Sequence, residues 1–378
     1  MRYKILFISS WFPNKLEPTN GNFVQRHAES VALFHDVEIL HAMGDPTQKE
    51  NFYFDEKNIN GVRTLVVYYK HTRNPIINFN RRMKAYKLGF KKLNRPSLIH
   101  ANIVQNSMLF ATYLRSRLGI PFVVSEHWSG LQKRNRHLLS KSKLAIAKFI
   151  ANRAEYMIPV STMLKNELQE AGIGKRFEVV ENVVDTSLFK VKENNLDEPF
   201  IFLHLSNLVS LKNPQRIIKA AVRLREEFQN FELHIGGDGN IDKLNTWIEE
   251  ADAKQFIKSF GEQTLSQVAE KMRKSTCFVL FSDYENLPCV LLESMSSGTP
   301  VISTNVGGVS EILKPEFGAL INQTDEELYQ AMKSALEGNL TSASSNLLHQ
   351  HIEENYSKTK IAEKFDVIYR KILENKAQ

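Results

Sequence analysis

Residues Phe281–Gly308 read FSDYENLPCVLLESMSSGTPVISTNVGG, and the fold class is decided there. Just upstream, Thr276–Phe281 is short, apolar and bounded by polar residues, the pattern of a parallel strand buried on both faces. Pro288 suits a first helical position, and Val290–Ser297 continues as a helix until Gly298-Thr299-Pro300 stops it. Val301-Ile302-Ser303 then forms the next strand. The unit is strand, loop, helix, turn, strand, the α/β pattern of a parallel sheet.

In an open parallel sheet, ligands lie outside the carboxyl ends of the strands, so Glu285 on the post-strand loop faces the crevice. Glu293, less than two turns into the helix, is placed to point back toward the same crevice. The first N–H groups of a helix have no partner in a preceding turn and accept an anion. Carboxylates accept hydrogen bonds from hydroxyls and free amides hold phosphate oxygens, a combination suited to a sugar nucleotide. The plain alternative is that any α/β protein carries acids at loop and helix starts.

The pattern Glu285-x7-Glu293 followed by SGTPVIST-x-VGG resembles the signature of family-four retaining glycosyltransferases, which adopt the two-domain GT-B fold. The resemblance implies two Rossmann-like, doubly wound domains facing across a cleft. It gives Glu285 contact with the transferred sugar and Glu293 the nucleotide ribose, with Asn286, Leu287 and Pro288 lining the donor. Asn286 stands where the family often has Gly, which bears on the shape of the donor-sugar pocket.

With 378 residues the chain is long enough for two domains. At 42% apolar and 24% charged residues, its composition is that of a globular protein. Cys277 and Cys289 lie in apolar runs with no CxxC and no adjacent His cluster, so they read as core residues of a protein in a reducing cytoplasm. MRYKILFISSWFPN reads as a first strand rather than a signal peptide, and no segment approaches the roughly 18 apolar residues of a spanning helix. Charge is unevenly spread: through Lys190 there are 29 Lys and Arg against 15 Asp and Glu, and beyond it 20 against 27. Between Glu56 and Glu126 there is no acid at all. A solvated basic face, an anionic membrane surface and a phosphate-bearing acceptor all fit that stretch. Nucleic acid is not expected as a partner, because no nucleic-acid motif accompanies the charge.

Taken in order, strands are expected at Lys4–Ile8, Asp36–Leu40, Gly61–Tyr69, Leu98–Asn102, Pro121–Ser125 and Tyr156–Ser161. Gly21 precedes a helix with Phe23, Val24, His27, Val31 and Phe34 on one face, where the backbone can approach a phosphate. It resembles the family's N-terminal Gly-rich loop, with Asn20-Gly21 for Gly-Gly, and donor contact is assigned to Gly21. His127 follows a buried strand. Alone it reads as a structural histidine; the family places a sugar-contacting His there. Glu126 and Trp128 flank it on the acceptor side. The basic stretch Lys133–Ala154 has apolar positions at helical spacing, consistent with a core-packing helix or one lying on a membrane surface.

The polar segment Lys190–Glu198 reads as the linker, giving an acceptor-side domain of 1–190 joined by a terminal helix at 356–378, and a donor-binding domain of 191–355. After strand Phe200–Leu205, Lys212 matches the family's diphosphate-gripping Lys, while the family's Arg position is Asn207. Arg216 is a candidate to replace the missing charge. Gly236-Gly237-Asp238-Gly239 reads as a tight turn. Lys258 lies on the strand whose backbone faces the base in the family.

The resemblance implies a transferase that moves a sugar from a UDP- or GDP-linked donor to a carbohydrate or lipid-linked acceptor with retention, in cell-surface polysaccharide or glycolipid synthesis. Glu285, His127 and Lys212 are its catalytic candidates, with no cofactor and no metal expected. Its expected place is the cytoplasm, peripheral to the inner face of the plasma membrane. Two alternatives remain from the residues: a nucleotide-sugar epimerase on the same fold, and a basic lipid- or nucleic-acid-binding module.

Overall fold

A computed structural model describes residues 1–191 and 199–374. The chain divides into two compact units, Met1–Val183 together with the stretch that begins at Lys358, and Val184–Ser357. Most of the linker read at 190–198 lies outside the described residues.

The first unit holds seven strands: β1 (Lys4–Ser9), β2 (Asp36–Asp45), β3 (Phe52–Ile59), β4 (Val62–Lys70), β5 (Leu98–Asn102), β6 (Phe122–Glu126) and β7 (Met157–Pro159). Their order in the sheet is β3-β4-β2-β1-β5-β6-β7, and every pairing is parallel except that of β3 with β4. The central strand pairs Ile5 with Val37 on one side and with Leu98 on the other. Near-continuous apolar runs such as Ile5–Ile8 and Phe122–Val124 are buried because helices cover both faces.

Sequence reading did not find β3. The polar run Asp55-Glu56-Lys57-Asn58 interrupts its apolar alternation and hides the strand pattern, yet it is fixed by a tight hairpin at Asn60-Gly61, with φ of 50° and 84°. The basic stretch 133–154 also differs from one continuous helix. It forms helices Lys133–Arg136 and Lys141–Ala151, because Ser140 takes an extended conformation and caps the second through the Lys143 N–H.

The helix Lys358–Glu374 belongs to the first unit and buries Ile361, Phe365, Ile368, Tyr369 and Ile372 in the core of β1 and β2. Polar bonds fix its register. The Tyr369 hydroxyl lies 2.5 Å from His100 Nδ1, Lys364 pairs with Glu181 at 2.5 Å, and Asp366 lies 3.1 Å from His35 Nε2.

The second unit holds β8 (Phe200–Leu205), β9 (Phe231–Gly236), β10 (Ile257–Phe260), β11 (Cys277–Leu280), β12 (Val301–Thr304) and β13 (Gly318–Ile321). Their order is β10-β9-β8-β11-β12-β13, all parallel. The order reverses between β8 and β11, the switch point at which a doubly wound sheet opens a crevice. Cys277 is buried in β11, its thiol pushed up by burial, and Cys289 is half-buried at the start of the helix Cys289–Ser296.

Candidate active site

The loops that follow β8 and β11 flank the switch point of the second sheet, and bonds between them define its geometry. A short turn, Ser210–Lys212, ends at Asn213, which takes a left-handed conformation with φ 49° and caps the helix Pro214–Arg225. Pro214 at the first helical position needs no N–H partner, so the loop can turn sharply there. The Asn213 amide donates to Phe281 O at 3.2 Å and to Asp283 Oδ1 at 2.6 Å, and the Asp283 N–H donates to Leu211 O at 2.8 Å. Held this way, the Lys212 ammonium reaches Glu285 Oε1 at 2.5 Å. The Ser282 hydroxyl donates to the same carboxylate oxygen at 2.7 Å.

Glu285 is 8% exposed, so its charge would be costly without these donors. The loop beneath it is pinned as well: Ser282 O accepts from Thr304 Oγ1 at 2.7 Å and from Gln323 Nε2 at 3.2 Å. Gly307 completes the arrangement. With φ +59°, it lies so close that a Cβ there would stand 1.8 Å from Glu285 O, and the Gly308 N–H donates to Asn286 O at 2.8 Å. The double glycine of the motif thus shapes the backbone around Glu285.

Pro288 is the residue that caps the helix Cys289–Ser296, one position earlier than a first helical residue, with φ −70° and ψ 119°. Leu287 is buried beside it and Glu293, 3% exposed, lies in the helix's second turn. Asn207 is exposed on the loop after β8. Arg216 does not reach in to replace the missing Arg: its guanidinium is held by Asp325 at 2.5 Å and by Gln323 O at 3.0 Å. Lys258 sits near the start of the edge strand β10, and its ammonium donates to Gln255 O at 3.2 Å. The structure brings together Lys212 and Glu285, and joins neither to Lys258 by any described bond.

Ser282, Asn213 and Gln323 were not singled out in the sequence. Only Asn213 carried a signal, an Asn immediately before a helix-opening Pro; the others depend on contacts across the sheet. Among the described residues, no group of three His, Cys, Asp or Glu is placed to hold a metal ion.

In the first unit the corresponding reversal lies between β1 and β5. Gly21, with φ +80°, opens the helix Asn22–Val31, and a Cβ there would meet Trp11 O at 2.5 Å. His127 follows β6; its ring stacks on Phe23 at 4.1 Å and lies 5.4 Å from His27. Burial holds its imidazole well below the usual pKa, and the neighbouring His27 and His100 add to that, so it is neutral at pH 7. Its neighbour Glu126 is fully buried and accepts three backbone N–H bonds, from Val104 at 2.8 Å, His127 at 2.9 Å and Trp128 at 2.7 Å. One carboxylate therefore staples the loop after β5 to the loop after β6. Ile103, beside it, is held at φ +66°, a strained conformation for a β-branched residue.

Comparison with known proteins matches this chain to a family. The profile described as Glycosyltransferase Family 4 matches residues 23–188, and that described as Glycosyl transferases group 1 matches residues 185–358. The lipopolysaccharide 1,6-galactosyltransferase of Salmonella typhimurium is 24% identical over 307 residues, covering 76% of this chain and 81% of that protein. The N-acetyl-alpha-D-glucosaminyl L-malate synthase of Bacillus anthracis is 24% identical over 240 residues, covering 60% and 62%. Among solved structures, sucrose-phosphate synthase from Thermosynechococcus elongatus aligns with a TM-score of 0.78 at 17% identity, over 99% of this chain and 100% of that one. Anabaena HepE in complex with UDP-glucose aligns with a TM-score of 0.74 at 17% identity, over 98% and 100%. The chain belongs to the family-four glycosyltransferases and has their GT-B fold of two parallel-sheet α/β domains.

Proposed function

We propose that the protein transfers a sugar from a nucleotide-sugar donor to an acceptor hydroxyl with retention of configuration and without a metal ion. The observation that carries this reading is the Lys212–Glu285 pair at the switch point of the second sheet. When donor binds, a diphosphate oxygen takes the ammonium and a sugar hydroxyl donates to the freed carboxylate. The bond from the anomeric carbon to the diphosphate oxygen breaks, the bond to the acceptor oxygen forms, and the acceptor proton goes to the departing diphosphate. Charge accumulates on that leaving group, and a preorganised ammonium with helix amides offsets it. Glu285 positions the sugar and Glu293 takes the ribose hydroxyls.

HepE has been solved with UDP-glucose, which supports a UDP-linked donor here. The galactosyltransferase relative is named for lipopolysaccharide, which supports a cell-surface glycan product; the basic charge of the first unit supports a cytoplasmic enzyme that rests on the inner membrane face. Ile76 and Ile77, exposed at the start of the basic helix Pro75–Phe90, give that contact an apolar point. No described helix is long and apolar enough to cross a membrane.

The test is a thermal-shift panel of UDP-, GDP- and ADP-sugars, since a ligand that binds only the folded chain raises its melting temperature. One base should give a shift that Glu293→Ala largely removes. No shift with any of the three would overturn the reading.

A further inference from the structure

Arg82 projects from the helix Pro75–Phe90 to the carboxyl edge of the first sheet. Its Nε donates to the Tyr69 hydroxyl at 3.1 Å, and its Nη1 lies 3.5 Å from Asn106 Oδ1. Tyr69 is at the end of β4, and Asn106 opens the turn that follows β5. The next residue, Ser107, places its hydroxyl 2.5 Å from that of Ser10 in the loop after β1. Arg82 therefore stands at the reversal between β1 and β5, where a doubly wound sheet receives a ligand.

The charge balance at this edge is one-sided. Residues 57–125, which supply β4, β5, most of β6 and the helices between them, contain no Asp or Glu. Two strands of the sheet end in acids, and both are occupied: Asp45 by Lys15 at 2.7 Å, and Glu126 by its three backbone amides. Among the described residues no carboxylate lies within ion-pair distance of Arg82. A planar guanidinium held on one side by a phenol and an amide, with further donors in the same plane, matches a phosphate or carboxylate.

We propose that the acceptor carries a phosphate group, and that Arg82 with Asn106 binds it at the carboxyl edge of the first sheet. The proposal rests on the transferase reading for its catalytic meaning, but the binding it asserts can be measured separately.

The full-length chain is first saturated with whichever nucleoside diphosphate stabilises it most, so that the second unit cannot take up the probe. Glycerol 3-phosphate and glycerol are then titrated by calorimetry, alongside phosphatidylglycerol and phosphatidylcholine vesicles. Glycerol 3-phosphate should bind and glycerol should not. Arg82→Gln should weaken that binding at least tenfold and leave the nucleotide-induced melting shift unchanged, and Arg82→Lys should recover part of the loss. Binding to phosphatidylglycerol alone that is lost in Arg82→Gln also supports the proposal, and names a lipid headgroup as the source of the anion. Equal binding by wild type and Arg82→Gln, or no binding of either anionic probe, overturns it. Absence of any nucleotide shift would instead count against the donor reading, while an Arg82-dependent anion site would stand.

Discussion

Lys212 and Glu285 come from loops 73 residues apart in sequence, yet their charged atoms lie 2.5 Å apart, both side chains being mostly buried. Glu285→Gln keeps an oxygen for the Lys212 and Ser282 donors, so unfolding free energy should change by only about 1 kcal/mol. Turnover should fall by about 10²–10³-fold, because the sugar hydroxyl loses a charged acceptor. Lys212→Ala should cost about 2–3 kcal/mol, less than a fully buried pair because the Lys212 side chain is 20% exposed. Urea unfolding with steady-state kinetics separates the two variants; equal stability losses would contradict this assignment.

Gly307 should resist any side chain. Gly307→Ala places a Cβ against Glu285 O in a left-handed backbone and should cost about 1–3 kcal/mol. Because the strain falls on the Glu285 backbone, donor affinity should drop even where the protein remains folded, which calorimetric titration of the nucleotide-sugar can measure. Unchanged affinity would mean the loop relaxes freely.

Burial pushes the Glu126 carboxyl up from 4.5 to about 7 against the opposing pull of three backbone N–H groups. Between those two values the unfolded carboxyl has released its proton and the folded one still holds it. The stability associated with this group is thus complete below about pH 4.5 and lost as pH rises through 7, on the order of 3 kcal/mol in all. Glu126→Gln removes that dependence. Unfolding free energies at pH 5 and pH 8 should therefore fall more steeply in wild type than in the variant; parallel profiles would refute the shift.

The hydroxyl of Tyr369 anchors the helix Lys358–Glu374 through His100, whose other ring nitrogen lies 2.7 Å from Ser125 Oγ. Tyr369→Phe should cost about 1–2 kcal/mol by leaving a buried ring nitrogen without its partner. Val367→Ala on the same helix, 65% exposed, should cost less than about 0.5 kcal/mol. Denaturant melts of the two, side by side, test whether this hydrogen bond or mere helix propensity holds the element.

Elements with strong local patterns were legible in the chain. Leu98–Asn102 and Phe200–Leu205 were found at their observed bounds, because mostly apolar runs of five and six residues are too short for a helix and read as buried strands. The motif around Glu285 was legible because acids, proline and glycines keep fixed spacing. What escaped depended on distant partners. β3 is stabilised by cross-strand pairing to β4 rather than by its own alternation. The break at Ser140 follows from capping, which outweighs a periodicity that runs through it. The staple at Glu126 needs Val104, 22 residues upstream, to turn its N–H inward, and no single stretch announces that. Arg216 looked available as a replacement cation until Asp325, 109 residues later, claimed it.

The packing of Phe365 and Tyr369 against the β1–β2 core has a consequence for biosynthesis. A ribosome delivers all seven strands of the first sheet by residue 159, but the aliphatic and aromatic groups that close one face emerge some two hundred residues later. Nascent N-terminal segments generally fold as they appear. Here the second unit can mature while the first still shows an uncovered apolar flank to chaperones. Maturation of the earlier-made lobe thus waits on translation of the later one.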